Sequence, residues 1–252
     1  MQTLLFLLAF LLSPGAEAGE IIGGHEVKPH SRPYMAFVRY LIKEKRKNCG
    51  GVLVRQDIVL TAAHCWGSSI KVTLGAHNIK KQEKTQQVIS VKEAIPHPHY
   101  NSKKITNDIM ILKLERKAEL TTAVQPISLP WGTAQVRPGQ VCSVAGWGRV
   151  TPNGRGSDTL QEVELTVQQD QVCKSYLRNY NSTTQLCVGD PKEEKSSYKG
   201  DSGGPFVCKK VIQGLVSYGR SGGIPPRVYT KVSSFLPWIK KIMKVPAPFW
   251  RG

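Results

Sequence analysis

Residues 51–65 read Gly51-Val52-Leu53-Val54-Arg55-Gln56-Asp57-Ile58-Val59-Leu60-Thr61-Ala62-Ala63-His64-Cys65. Two short β-branched runs, Val52–Val54 and Ile58–Leu60, are separated by a polar turn, and the second leads directly to a histidine. Runs of this length and composition, bounded by turn residues, are strands. The same pattern recurs outward at Ile70–Leu74, Ile109–Leu114, Val141–Val144, Val163–Val167 and Val211–Val216, with Gly, Pro, Asn and polar turns between. There is no internal repeat and no low-complexity tract. Many short strands with regular turn signals predict an all-β sandwich or barrel. Helical periodicity is nearly absent until the end, where Ser233-Ser234 is expected to cap a helix. That helix would turn Phe235, Trp238, Ile239, Ile242 and Met243 toward a core and Lys240, Lys241 and Lys244 outward, with Pro246 and Pro248 ending it.

With 252 residues, 40% of them hydrophobic, the chain can bury one sizeable core or two small ones. Against 18 Asp+Glu stand 35 Lys+Arg, a net charge of +17 that draws polyanions: sulfated glycans, acidic membranes or nucleic acids. The amino terminus carries an apolar run, Leu4–Leu12, then Ser13-Pro14-Gly15 and a small-residue pattern Ala16-Glu17-Ala18. This predicts a signal peptide over 1–18, although its first residues contain no Lys or Arg. No stretch reaches transmembrane length, so a secreted product is expected. Its six cysteines, with no Cys-x-x-Cys pair, are expected to form disulfides, and arithmetic leaves 15 pairings open.

Three segments carry candidate chemistry. His64 follows a strand and is tied by Cys65; Asp108 enters the apolar strand Ile109–Leu112; and Ser202 lies in the turn Lys199-Gly200-Asp201-Ser202-Gly203-Gly204-Pro205. A buried carboxylate requires a hydrogen-bonding partner. Glycines around a serine let backbone amides gather near its hydroxyl. Acyl transfer by a serine needs a general base, a group that fixes the base's tautomer, and donors for the oxyanion.

These segments, in the order His, Asp, Ser, resemble the chymotrypsin family of serine proteases over Ile21 to about Lys244. The resemblance implies two antiparallel Greek-key β-barrels with a C-terminal helix outside, a boundary near 125–135 and a tail at 245–252. It assigns His64 as general base, Asp108 as its orienter, Ser202 as nucleophile, and the amides of Gly200 and Ser202 as the oxyanion hole. It further implies the pairings Cys49–Cys65, Cys142–Cys208 and Cys173–Cys187, and no cofactor. Tyr198 stands where many relatives have a cysteine, a departure shared with granzymes, cathepsin G and mast-cell chymases. Ile21-Ile22-Gly23-Gly24 resembles the new amino terminus that the family exposes and pairs with the aspartate before the serine, here Asp201. Only Gly19-Glu20 would separate it from the signal peptide, so a dipeptidyl peptidase is the expected activator.

Ser196, with Ser197 beside it, occupies the place where a trypsin-like pocket carries aspartate, which argues against cleavage after Lys or Arg. Ser217-Tyr218-Gly219 resembles the edge that pairs with substrate backbone. Arg227, after Pro225-Pro226, matches the arginine that enters the pocket of granzyme B-like proteases. His25-Glu26, Gly75–Ile79, Arg220 and Ser233-Ser234-Phe235 extend that match, whereas Tyr229 and the tail depart from it. The resemblance implies cleavage after Asp, storage in cytolytic granules on sulfated proteoglycan, target-cell death through caspase cleavage, and control by a serpin-type inhibitor. Two alternatives stand: chymase-like cleavage after aromatic residues if Arg227 points outward, and a silent cationic glycan-binding or antimicrobial protein. Specific nucleic-acid binding is not expected, because no nucleic-acid fold or stacking motif is present. His97-Pro98-His99 lacks nearby ligands to complete a metal set, and Asn181-Ser182-Thr183 is an expected glycosylation site.

Overall fold

A computed structural model describes residues 21–131, 136–149 and 154–244. The expected signal peptide, the dipeptide 19–20 and the tail with Pro246 and Pro248 lie outside the described residues.

The strands are β1 (His25–Glu26), β2 (Met35–Ile42), β3 (Lys45–Arg55), β4 (Ile58–Thr61), β5 (Ser68–Leu74), β6 (Gln87–Pro96) and β7 (Met110–Leu114), followed by β8 (Val141–Gly146), β9 (Gln161–Thr166), β10 (Gln185–Val188), β11 (Pro205–Cys208), β12 (Val211–Gly219) and β13 (Arg227–Lys231). Strands β2 to β7 form a closed antiparallel barrel in the order β2-β3-β4-β7-β6-β5. Its first hairpin turns at Lys43 and Glu44, both at positive φ, which matches the twist of the paired strands. Inside, Val38, Leu53, Val59, Val72, Met110 and Leu112 are fully buried.

The other strands form a seven-stranded antiparallel sheet in the order β1-β9-β8-β11-β12-β13-β10. It curls until Val167, just past β9, bridges Val188 at the end of β10. Hydrogen bonds from Gln168 N to Cys187 O (2.8 Å) and from Gly189 N to Thr166 O (2.9 Å) flank that bridge. The second barrel is therefore closed by one bridge instead of a full ladder. A separate apolar cluster joins the halves: Val52, Ile58 and Ile111 of the first meet Ile212 and Leu215 of the second.

The C-terminal helix, α2 (Leu236–Met243), packs into this seam through Ile239 and Met243, with Trp238 and Ile242 half-buried beside them. The expected serine cap does not form. Ser233 and Ser234 belong to a 3-10 turn, Phe235 holds the cap position, and the Ser234 hydroxyl donates to Thr183 O instead (2.7 Å). Pro237, in the first turn, has no N–H to satisfy, which lessens the need for a cap. Lys244 ends the helix in a left-handed conformation, its amide directed at the carbonyls of Lys240 and Lys241. Among the described residues one further α-helix, α1 (Asp170–Tyr176), is too short for its periodicity to show in the sequence; it buries Cys173.

Since Ile239 is 0% exposed in the seam, Ile239→Ala is expected to cost about 2–5 kcal/mol, read as a lower urea midpoint. Lys241→Ala, on the exposed face, should stay within about 0.5 kcal/mol of the parent.

Candidate active site

Strand β4 ends at Thr61, and the chain turns at once through a single 3-10 turn, Ala63–Cys65, that carries His64. The disulfide Cys49–Cys65 ties this turn to β3. Asp108 lies just before β7, where its carboxylate is only 1% exposed. Both of its oxygens serve the histidine: Oδ1 accepts from the His64 amide (2.9 Å) and Oδ2 faces His64 Nδ1 (2.8 Å). With Nδ1 donating to Asp108, Nε2 is the nitrogen left with a lone pair. Burial alone would lower the His64 pKa, but the hydrogen bond and charge of Asp108 outweigh it and hold the imidazole above its ordinary value. Burial likewise works to raise Asp108, and its bonds and charge interaction with His64, together with Ser217, hold it below the usual carboxylate range.

The second barrel reaches the same carboxylate. Ser217 Oγ donates to Asp108 Oδ2 at 2.5 Å, and Thr230 Oγ1 donates to the Asp108 carbonyl at 2.7 Å. Ser217 was expected at the substrate edge; its side chain faces Asp108, which the sequence alone does not signal. Ser202 is brought to the histidine turn through backbone: the Gly50 amide donates to Ser202 O (2.8 Å), and Cys65 Sγ lies 3.8 Å from that same oxygen.

Gly200 has φ +105°, and a Cβ there would come within 2.7 Å of Gly148 Cα, so only glycine fits this turn. The Asp201 amide bonds to Tyr198 O (3.1 Å), whereas the amides of Gly200 and Ser202 meet no acceptor among the described residues. An acyl oxygen near Ser202 would find donors there. The Asp201 carboxylate points inward, accepting the amides of Gly148 (2.9 Å) and Tyr198 (2.8 Å). Full burial pushes its pKa up to about 6. Ile21 is fully buried, and the carbonyl of Ile22 accepts the Ser196 amide (3.0 Å), so the segment starting at Ile21 already lies beside the pocket wall.

The Arg227 side chain is buried, with 8% exposed. A Cβ on Gly219 would come within 2.8 Å of Arg227 Cδ and Nε, so the guanidinium runs directly under the strand Ser217–Gly219. Its Nη1 donates to Arg220 O (2.9 Å), its Cζ lies 5.9 Å from the Tyr198 ring centroid, and its buried Nε has no partner among the described residues. Burial lowers its pKa from the ordinary arginine value. Below, Tyr229 donates to Ser197 Oγ (2.8 Å), and Ser196 Oγ turns away to Ser197 O (3.0 Å). Tyr218 lies half-buried at the edge, its hydroxyl 3.4 Å from Gln185 Oε1.

The remaining disulfides are Cys142–Cys208 and Cys173–Cys187. The close His/Cys group found among the described residues is His64 with Cys49 and Cys65, whose sulfurs are bonded to each other and offer no thiolate to a metal. His97 Nδ1 accepts the His99 amide (3.3 Å), and its ring packs on Phe235 and Trp238. Asn181 is exposed, its side-chain oxygen accepting the Thr183 amide (2.9 Å). Among the described residues no helix is long and apolar enough to cross a membrane.

Comparison with known proteins agrees with this fold. The family model described as Trypsin matches residues 21–239. The chain is 66% identical to human Granzyme B and 64% identical to human Granzyme H, in both cases over 97% of this chain and 99% of the relative. The solved "Structure of GrC" superposes with a TM-score of 0.86 at 57% identity, covering 89% of this chain and all of that one.

Two measurements test the electrostatics. With His64 as the expected general base, kcat/KM should rise with pH through a midpoint above the ordinary histidine value of about 6.5. Asp108→Asn should move that midpoint down, because burial then acts unopposed, and cut kcat by about 10⁴-fold, the loss known for this change in a Ser-His-Asp triad. In the chain still joined at Ile21, Asp201 carries a folded pKa of about 6 against an ordinary 3.8. Folding then takes up a proton between those values, so its stability falls as pH rises from 4 to 6. The loss is roughly 3 kcal/mol, and Asp201→Asn should abolish it in urea titrations across that range.

Proposed function

The chain belongs to the trypsin family of serine proteases, and from that premise we propose that it is a granule endopeptidase that cuts proteins after aspartate. The observation that carries this reading is the buried Arg227 guanidinium under Gly219, with an unpartnered Nε. A substrate carboxylate entering the pocket would supply the missing acceptor in a charge-assisted, bidentate pair. Arginine already fills much of the pocket, so the shorter aspartate fits better than glutamate, and an aromatic ring would meet a cation at the floor. Lys or Arg side chains would meet like charge. The inward course of Arg227 favours this reading over chymase-like cleavage.

In the proposed reaction His64 Nε2 takes the Ser202 proton as Oγ attacks the scissile carbonyl. The amides of Gly200 and Ser202 receive the oxyanion, and the imidazolium, held by Asp108, protonates the leaving amine. Water then repeats these steps on the acyl-enzyme. Substrate backbone pairs with Ser217–Gly219 as an added strand.

A zymogen stage fits the buried charge on Asp201. Removal of residues 1–18 and then of Gly19-Glu20 would free an ammonium at Ile21 to pair with Asp201, whose carboxylate is held by two backbone amides and by no ion pair among the described residues. The excess of positive charge, +17 over the whole sequence, suits storage on sulfated proteoglycan in cytolytic granules. Its likeness to granzymes supports the further reading that it acts in target-cell apoptosis through caspase cleavage, under a serpin-type inhibitor. The exposed Asn181 suits glycosylation.

The deciding experiment compares forms beginning at Gly19 and Ile21 on matched peptides ending in Asp, Glu, Phe or Lys, with Arg227→Gly alongside. The Ile21 form should prefer Asp, the Gly19 form should be inactive, and Arg227→Gly should lose at least about a hundredfold on Asp, or about 3 kcal/mol of transition-state binding. Preference for Phe in both parent and variant would overturn the Asp assignment.

A further inference from the structure

Beyond Gly200, on the side of Ser202 away from Ser217–Gly219 and Arg227, opens a cavity of about 580 Å³. A substrate paired with Ser217–Gly219 on one side of the scissile bond must send its leaving-group half into this space. Arg46, Lys47, Lys80, Arg155 and Lys199 face it, against a single carboxylate, Asp158. A second cavity of about 230 Å³ shares Phe37, Ile79 and Lys80 with the first. It continues over the outer face of the first barrel, where Arg39, Lys71 and Lys81 line it with no carboxylate. Arg39 and Lys71 are direct cross-strand neighbours, so the two like charges are fixed side by side. The ion pairs Arg32–Glu162, Arg55–Asp57 and Lys113–Glu93 lie elsewhere and engage none of these cations.

Cations gathered like this with one carboxylate among them repel one another, and a linear polyanion laid along them relieves the repulsion. The aromatic rings in the track, Phe37 and Trp147, are each only 4% exposed. Neither ring of the track is open to base stacking, which favours a sulfated sugar chain over single-stranded nucleic acid.

We infer that a sulfated polysaccharide binds along this continuous track and, by filling the leaving-group side of the cleft, excludes protein substrates while leaving the Arg227 pocket open. This rests on the glycan-partner reading given above and adds where the chain lies and what it does. The bound enzyme is silent toward proteins because their residues beyond the scissile bond have no place to go, and dilution or salt frees it.

The test uses the form beginning at Ile21 and a heparin-derived dodecasaccharide. Two substrates share the same residues up to the cleaved aspartate. One ends there in a chromogenic leaving group, and the other continues four residues further. The saccharide should raise KM for the extended peptide by about tenfold or more, leave the short one unchanged within about twofold, and lose its effect near 0.5 M salt. Lys71→Ser with Lys81→Ser, changes confined to the distal cavity, should keep the parent's KM for both peptides and need several-fold more saccharide. Saccharide binding, seen by affinity chromatography, without competition would overturn the placement and leave the glycan reading standing. Absence of binding at low salt would overturn both. Equal inhibition of the two substrates would move the block to Ser202 or Arg227. Stronger competition by a single-stranded DNA of equal charge would make the occupant a nucleic acid.

Discussion

The Asp108 carboxylate is the point through which both halves of the molecule are held to one geometry. It is buried where water cannot satisfy it, so each of its bonds must come from protein. The first barrel supplies the amide and ring of His64; the second supplies the Ser217 hydroxyl and, to the backbone carbonyl, Thr230. A shift of one barrel against the other would strip a buried anion of a donor, which costs more than an ordinary hydrogen bond is worth. The Gly50 amide on Ser202 O acts in the same direction from the opposite side. The apolar seam of Val52, Ile111, Leu215 and Ile239 supplies the non-directional adhesion, and the polar contacts set the register. The alignment of His64, Asp108 and Ser202 and the packing of the two halves are thus one constraint.

What could be read in advance follows from how local each cause is. The β-branched runs at Ile58–Leu60 and Ile109–Leu114 announce strands because their composition alone disfavours other conformations, and both lie in the first barrel. Strand β6 was not legible, since only Ile89 along its ten residues is fully buried, Val91, Ala94 and Ile95 are only partly covered by the cores, and charged and polar residues interrupt the run. Strand β10, Gln185-Leu186-Cys187-Val188, is short and opens on a buried glutamine, which imitates a loop. The triad motifs were legible because glycines and a histidine next to a cysteine are rare in combination. The role of Ser217 was not, because its partner stands 109 residues away and a serine in a strand carries no signal of its own. The serine cap failed for a similar reason: Ser234 found a distant carbonyl, which local sequence cannot reveal.

Among the described residues, two buried charges, Asp201 and Arg227, have no direct counter-ion, and Tyr198 contacts both. Asp201 accepts amides only, and Arg227 holds one carbonyl while its Nε is unmatched. Each feels the other's field, which partly relieves both, since Arg227 lowers the Asp201 pKa and Asp201 raises that of Arg227. In the proposed activation the new ammonium at Ile21 takes over the neutralisation of Asp201. The arginine then loses the share of that field it relied on, and its demand for an anion grows. A substrate aspartate meets that demand. Activation and specificity would on this view be coupled through charge, with Tyr198 between them: its amide is bonded to Asp201, and its ring lies 5.9 Å from the Arg227 guanidinium. A neutral side chain in the pocket would leave the arginine as unsatisfied as it is in the empty site, so discrimination arises from the cost of an unpaired buried charge more than from the strength of the new pair.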